Sequence, residues 1–329
     1  METDCNTFRF QDFPSDLTRS IFEASAEDLN WGCALVSKMV KSWVEPILYR
    51  QIILDKPTTV SLLHRTIVSS VSSKPPHFFA SHVKSLGVFF SNDSWEELME
   101  ILATCSGISR LEFTMYLDED LNRDDLRVGR HRAWEHLRPT SLHIPGTLFL
   151  PTHRHFHFLP WEGKTLNPIF TRITHFEIDW NSIRLTTWSW ESLSLLSTLT
   201  HLCISSLANP EVVDLASSNL RSAVLYFPTS LVVCIFFIPN THWFVRARQL
   251  VEENSGRRGN LDGRVVVAVD RDYYFAELAK GVEGRRWIEK EAIWRSGSGA
   301  EEAGKDNEEA FWEQAEALAV ERARGDHQQ

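Results

Sequence analysis

Cysteines are few in this sequence, and their placement excludes the kinds of site that depend on them. The 329 residues contain 5 cysteines, and no two of them form a Cys-x-x-Cys pair. An odd, dispersed set is typical of reduced core residues in an intracellular protein, not of a disulfide framework or a zinc cluster. We therefore expect free, buried thiols at Cys5, Cys33, Cys105, Cys203 and Cys234.

Long apolar runs are also missing. The longest, residues 231–238 (LVVCIFFI), is far shorter than the roughly 20 residues that cross a bilayer as a helix, and it predicts a buried strand instead. The first residues, METDCNTFRFQDF, are acidic and polar where a secretory signal is basic and then apolar. We expect no membrane partner and a location in the cytoplasm or nucleus.

Positive charge is in deficit. The formal net charge is −10, and the isoelectric point is about 5.7. Nucleic acids and anionic membranes attract basic surfaces, and this chain has no basic stripe. Nucleic acid is therefore excluded as a principal partner.

The motifs of common enzyme classes are absent. The sequence has no GxSxG, HExxH, GxxxxGK(S/T) or kinase set, so the chemistries that need them lack their defining geometry. The nearest approach to a metal site is HRHFHF, where His153, His155 and His157 would project from one face of a strand and could hold zinc. No fourth ligand is evident, and prolines bracket the segment as in a surface loop. We interpret these histidines as solvated.

A second histidine segment, HRAWEH, has one residue too many for the inverted zinc-protease motif HxxEH. On a helix the extra residue turns His131 about 100° out of register with His136. We therefore predict no catalytic residue, no metal and no cofactor, which means that the chain is not an enzyme. A hydrolase or metal enzyme is an alternative that would require scattered His, Asp and Ser residues to converge.

What the sequence does contain is a compact helical pattern over residues 13–54. Phe13-Pro14 fixes an extended entry to a first helix. Leu17, Ile21 and Phe22 then fall on one side of that helix. A second helix is expected from an N-cap at Asp28, with a buried seam of Leu29, Cys33, Val36 and Val40, and a third, interrupted at Pro46, with Trp43, Val44, Ile47 and Leu48.

At these residues the chain resembles the F-box-like family, of the type abundant in mushroom-forming fungi. Phe13-Pro14 stands where the family has Leu-Pro, and residues 34–38 (ALVSK) match its central segment. Residues 43–50 (WVEPILYR) match the fungal form of its ending. Phe13 replaces the usual leucine and Val40 stands where many members have tryptophan, but both positions remain apolar.

The resemblance implies docking onto a Skp-type adaptor, and through it onto a cullin, within an SCF ubiquitin ligase. About forty residues of small helices bury little surface alone, so part of their apolar area is expected to serve a partner. The adaptor-binding residues would be Phe13, Pro14, Leu17, Ile21, Phe22, Val36, Val40 and Trp43.

A weak repeat follows, with apolar residues at the first, fourth and sixth positions of each unit. Four segments fit it, HVKSLGV, ISRLEF, ITHFEI and LTHLCI, and segments near residues 139–144 and 220–225 fit more loosely. Each unit predicts a short strand, and runs such as residues 94–105 predict helices between strands. This is the logic of a degenerate leucine-rich repeat, with a generic α/β domain as the alternative. The pattern does not assign the target-binding residues, because it leaves open which side chains point outward; the candidates on the strand face are Lys84, Ser85, Gly87, Ser109, Arg110, Glu112, Thr174, His175, Glu177, Thr200, His201 and Cys203.

Tryptophan is unusually frequent, with 12 copies, including Trp180, Trp188 and Trp190 close together. A ligand-binding patch and core packing are both open, and core packing is the favoured interpretation.

The last part of the chain has a helical rhythm. Residues 274–294 are expected to cap the repeats, and an acidic terminal helix over residues 307–324 carries Phe311, Trp312, Ala315, Leu318 and Ala319 on one side. That helix either docks a partner or frays, and fraying is the commoner case.

The overall prediction is an α/β protein with an F-box-like three-helix module, an irregular leucine-rich-repeat-like solenoid of parallel strands and a helical C-terminus. Its function would be to select the substrate of a ubiquitin ligase, with a ligase-independent repeat scaffold as the alternative. The predicted segments are a tail (1–12), the F-box-like module (13–54), a helical connector (55–82), the repeat domain (83–271), a capping helix (272–295) and an acidic linker with a terminal helix (296–329).

Overall fold

Parallel strands dominate the computed structural model, which describes residues 13–70, 74–89, 95–114, 131–149, 154–159, 165–179, 188–205, 220–238, 262–270, 293–295 and 305–326. They form one 9-stranded sheet in which each strand is hydrogen-bonded in parallel to the next strand of the chain. The strands are β1 (Gln51–Leu54), β2 (Ser85–Val88), β3 (Arg110–Phe113), β4 (Ser141–Pro145), β5 (His175–Asp179), β6 (His201–Ser205), β7 (Val233–Ile238), β8 (Val265–Asp270) and β9 (Ile293–Arg295).

Helices and 3-10 turns connect these strands. The α-helices are α1 (Ser15–Glu27), α2 (Lys38–Leu48), α3 (Pro57–Ser69), α4 (Phe78–His82), α5 (Trp95–Thr104) and α6 (Lys305–Asp326). Short 3-10 turns occupy Trp31–Leu35, Arg132–Glu135, Gly146–Phe149, Arg154–Phe156, Pro168–Phe170, Trp190–Leu195 and Val224–Tyr226. The prediction of a mixed α/β chain with parallel strands is confirmed. The connections differ in length and kind, so the sheet is not the solenoid that the repeat pattern predicted.

The main core lies on one face of the sheet. The last two apolar positions of each predicted unit, such as Leu86 and Val88 in β2, point to that face and are fully buried. The loosely fitting segment at residues 139–144 is also a strand, β4. The prediction of a strand at residues 220–225 is wrong, because Leu220 begins a helical turn that continues into the 3-10 turn Val224–Tyr226.

Aromatic rings fill the centre of this core. Trp188 packs against Phe149, Phe158 and Phe176 at centroid distances of 5.0, 5.1 and 6.0 Å, and Trp190 packs on Trp188 at 5.2 Å. Core packing is therefore confirmed for these two tryptophans, while Trp180 lies outside the described residues.

The N-terminal module has two α-helices and a 3-10 turn, where the sequence predicted three helices. Asp28 ends α1 instead of capping a second helix. Ser37 is the N-cap that starts α2, because its hydroxyl accepts a hydrogen bond from the Val40 amide at 3.1 Å. Pro46 lies inside α2, two residues before its end at Leu48, so the predicted interruption at Pro46 is wrong.

The end of the chain also differs from the prediction. Residues 293–295, expected at the end of a capping helix, form β9 at the sheet edge. The rest of that expected helix, from residue 274 to residue 292, lies outside the described residues. The terminal helix α6 neither frays nor stands free: Phe311, Trp312, Ala315 and Ala319 are buried against the sheet face opposite the main core.

Candidate functional site

Exposed apolar side chains are concentrated in the N-terminal module. Leu17 and Ile21 lie one turn apart on α1 and are 46% and 42% exposed, and Val36 is 60% exposed. We define the N-terminal apolar surface as these residues together with the other large apolar side chains that are exposed between α1 and α2 or on α2 itself. Its members are Leu17, Ile21, Leu29, Trp31, Leu35, Val36 and Met39.

The module has a small core of its own beneath this surface. Ala26, Cys33, Val40, Val44 and Leu48 are buried together, and Phe22 and Trp43 pack against them while staying half-buried. The predicted adaptor-binding residues therefore divide.

Leu17, Ile21, Val36 and Pro14 are exposed, and Phe13 is half-buried. Val40 is only 3% exposed and faces inward, so its role is to hold the module together and the prediction of a contact role for it is corrected. The physical reason is that Ser37 restarts the helix, which turns Val40 toward Val44 and Leu48.

Leu29, Trp31, Leu35 and Met39 belong to the surface but were not among the predicted adaptor-binding residues. The helical period placed Leu29 and Val36 in a buried seam, although Val36 was also a predicted adaptor-binding residue; both are exposed, because the chain leaves the helix at Asp28 and enters a 3-10 turn. Leu29 itself has a φ of 56°, in the left-handed region. A helical period cannot be carried across such a break.

The second candidate surface is the sheet face opposite the main core. Strand register brings Arg110, Ser141, His175 and His201 into one row across β3 to β6. The next row on that face contains Glu112, His143, Glu177 and Cys203. Many of the side chains proposed to meet a target therefore do share a face.

His143 lies at the centre of an ionic cluster on this face. Its Nδ1 is 3.3 Å from Glu112 Oε1, and its Nε2 is 3.1 Å from Asp179 Oδ2 and 3.8 Å from Glu177 Oε1. Burial alone would lower the pKa of His143, but the charges of Glu177 and Asp179 and the contacts with Asp179 and Glu112 raise that pKa well above its usual value. Burial likewise opposes ionisation of Glu112, and His143 overcomes it, so the pKa of Glu112 is lowered.

The helix α6 covers part of the same face. The rings of His175 and His201 stack at 4.1 Å, and Trp312 meets both edge-on at 5.4 and 5.2 Å. Glu316 Oε1 lies 2.6 Å from His201 Nε2. Burial, with His201 beside it, lowers the pKa of His175 to about 4, which keeps its ring neutral under α6.

An ion pair and a hydrogen bond hold α6 near its two ends. Glu308 pairs with Arg110, and the Arg322 guanidinium donates to the Val265 carbonyl at 2.7 Å. A small pocket remains between the helix and the sheet, bordered by Glu112, His143, Glu177, Glu308 and Trp312 among others.

Two of the three histidines of HRHFHF are among the described residues, and the prediction that they are solvated is wrong for His157. Arg154–Phe156 is a 3-10 turn, not a strand, so His155 and His157 do not share a strand face; His157 is buried, and His153 lies outside the described residues. His131 caps the 3-10 turn Arg132–Glu135 by accepting a hydrogen bond from the Ala133 amide at 3.2 Å.

No protein-family model, curated protein or solved structure matches this chain. The resemblance to the F-box-like family therefore depends only on the residues quoted for it. Within the described part of the chain, no helix has the length and apolar character needed to cross a membrane.

Proposed function

We propose that this protein is the substrate-recognition subunit of a cullin-type ubiquitin ligase. In this proposal the N-terminal module binds a Skp-type adaptor, and the sheet domain binds the protein to be modified. The observation that carries the proposal is the N-terminal apolar surface, since exposed apolar side chains concentrated on one small module are typical of an interaction site.

The energetics of that surface are consistent with a stable interface. Burying a fully exposed leucine, isoleucine or valine contributes about 1.5 to 3 kcal/mol. Leu17, Ile21 and Val36 are about half exposed, so each would contribute roughly half of that amount on binding. Trp31 adds an aromatic ring of the kind that dominates interface energies, already oriented by an edge contact of 5.4 Å with Tyr49.

The module is attached firmly to the sheet domain, which a substrate receptor requires. Tyr49, at the end of α2, packs edge-on against Phe78 and Phe79 of α4 at 5.7 and 5.4 Å. Lys74 Nζ lies 2.8 Å from Glu45 Oε1 and 5.0 Å from the centroid of the Tyr49 ring. A rigid connection keeps a bound target at a defined distance from a bound adaptor, so that transfer onto the target becomes effectively intramolecular.

The target would bind on the part of the sheet face that α6 leaves open, near β1 to β3. Gln51 and Ile53 of β1 are exposed there, Ser85 of β2, which pairs with Gln51, is half-buried, and Lys84 is exposed just before β2. Arg110 pairs with Glu308 of α6 and so belongs to the covered part of the face. Four other candidate target-binding residues lie on the covered part of the face: Glu177, His201 and Cys203 are buried, and His175 is half-buried beneath Trp312. We assign these four residues to packing beneath α6, and we keep Gln51, Ile53, Lys84 and Ser85 as the target surface.

Co-purification of the full chain with a Skp-type adaptor tests the proposal. The double substitution Leu17→Asp with Ile21→Asp places two charges in the apolar surface and is expected to abolish adaptor binding. The matched control is Leu62→Asp with Leu225→Asp, two leucines that are 51% and 82% exposed outside the module, and it is expected to bind as the wild type does.

Circular dichroism and thermal unfolding of both variants check that the fold is intact. The proposal is wrong if the wild type does not bind the adaptor, or if the folded Leu17 and Ile21 variant binds it as well as the control. Target binding without adaptor binding would favour the ligase-independent scaffold instead.

A further inference from the structure

We propose that His143, Glu177 and Asp179 form a binding site for a divalent transition-metal ion on the sheet face beneath α6. These side chains come from two neighbouring strands, with His143 of β4 directly beside Glu177 of β5. Asp179 follows Glu177 by two residues and so points to the same face. One ligand atom from each of the three residues lies within 4.8 Å of the other two.

The distances match the spacing of metal ligands. Two ligand atoms bound at about 2.1 Å to a tetrahedral ion are about 3.4 Å apart. The measured distances from His143 Nε2, 3.1 Å to Asp179 Oδ2 and 3.8 Å to Glu177 Oε1, lie on either side of that value. Small side-chain movements would place an ion among the three atoms.

The orientation of the imidazole supports the same conclusion. Histidines that bind metals usually present their other ring nitrogen to a carboxylate, which fixes the ring and its tautomer. Glu112 Oε1 occupies that position, 3.3 Å from His143 Nδ1. Nε2 is then directed at the two remaining carboxylates.

His143 Nε2 is buried without a hydrogen bond of good geometry, in spite of its short distance to Asp179. A buried polar atom of this kind calls for a partner. A divalent cation among the three side chains would supply that partner.

The donor set indicates the class of ion. One imidazole nitrogen and two carboxylate oxygens suit Zn²⁺, Co²⁺, Mn²⁺ or Fe²⁺, whereas Ca²⁺ and Mg²⁺ prefer oxygen ligands alone. Three protein ligands leave a coordination position for water. The small pocket bordered by Glu112, His143, Glu177 and Trp312 adjoins two of the three ligands.

Titration of the untagged, metal-free full chain with Co²⁺ and with Zn²⁺ tests the site. The wild type is expected to bind one equivalent of Co²⁺ with a visible absorption band, and Zn²⁺ is expected to displace it and raise the melting temperature. His143→Gln and Asp179→Asn should each abolish that band and the thermal shift. Glu112→Gln should weaken binding by about 10- to 100-fold, because it removes only the orienting carboxylate.

The matched control is His64→Gln, since His64 also forms an ion pair with a carboxylate, 2.6 Å from Glu100 Oε2. His64 lies on α3, whose buried side chains pack into the main core on the other face of the sheet. The control should bind Co²⁺ as the wild type does. The proposal is overturned if the wild type binds no equivalent of metal, or if His143→Gln keeps the same stoichiometry and affinity. In the first case the cluster is held by protons and ion pairs alone, and in the second the metal binds elsewhere.

Discussion

The docking of α6 onto the sheet can be tested by a single substitution, Trp312→Ala. Trp312 is only 7% exposed, and its ring meets both His175 and His201 edge-on. Truncating a buried aromatic side chain to alanine costs about 3 to 5 kcal/mol. Because the helix can detach while the sheet stays folded, we expect the cost to appear first as undocking of α6, not as global unfolding.

Hydrogen exchange measured by mass spectrometry on the full chain is the suitable assay. A loss of about 3 kcal/mol raises the open population more than 100-fold, since each 1.4 kcal/mol corresponds to about tenfold. Exchange of the α6 amides should accelerate by that order. The β3 and β4 amides, which α6 does not hydrogen-bond, should change little.

Val320→Ala on the same helix is the control, because Val320 is 43% exposed and its truncation removes little buried area. Its exchange pattern should match that of the wild type. Unchanged α6 protection in Trp312→Ala would refute the reasoning, because it would mean that the ring contacts do not hold the helix in place.

Two further predictions concern the main core. Burial raises the pKa of the Cys105 thiol to about 12. At pH 8 we therefore expect its alkylation, followed by peptide mapping, to be slow in the native protein and fast only in denaturant. Rapid labelling of the native protein would contradict the burial. At Gly107 an added Cβ would lie 1.8 Å from the Ala80 carbonyl oxygen, a backbone atom that cannot rotate away. Gly107→Ala should therefore lower the free energy of unfolding by about 1 to 3 kcal/mol in urea titrations. The control Ala103→Gly, at an exposed helical position, should lower it by about 1 kcal/mol or less. Equal stability of the wild type and Gly107→Ala would contradict the prediction, because it would show that the backbone moves to accept the added Cβ.

The strands were predictable because their signal is local. In the segments HVKSLGV and ITHFEI, alternate side chains must be apolar to reach the core, and that alternation marks β2 and β5 without reference to any other part of the chain. The apolar run at residues 231–238 identified β7 for the same reason. The apolar stripe on α6, from Phe311 to Ala319, was equally readable from its helical period.

Other features depended on contacts between distant residues. A helical period across residues 28–40 predicted one buried seam, and Cys33 and Val40 are buried as it required, but the 3-10 turn and the Ser37 cap leave Leu29 and Val36 exposed. Nothing local distinguishes these outcomes, because a side chain's exposure is decided by which neighbour it packs against.

The sequence by itself determined the class of this protein: an acidic chain with short parallel strands, an apolar helical start and an amphipathic helix at its end. Only the tertiary structure decided that α6 covers the chain's own sheet, and that His143, Glu177 and Asp179 meet. The reason is physical. Apolar periodicity is a property of each segment alone. The contact between His143 and Glu177, in contrast, depends on the hydrogen-bond register between β4 and β5, whose paired residues are more than thirty positions apart in the chain, and no local pattern predicts that register.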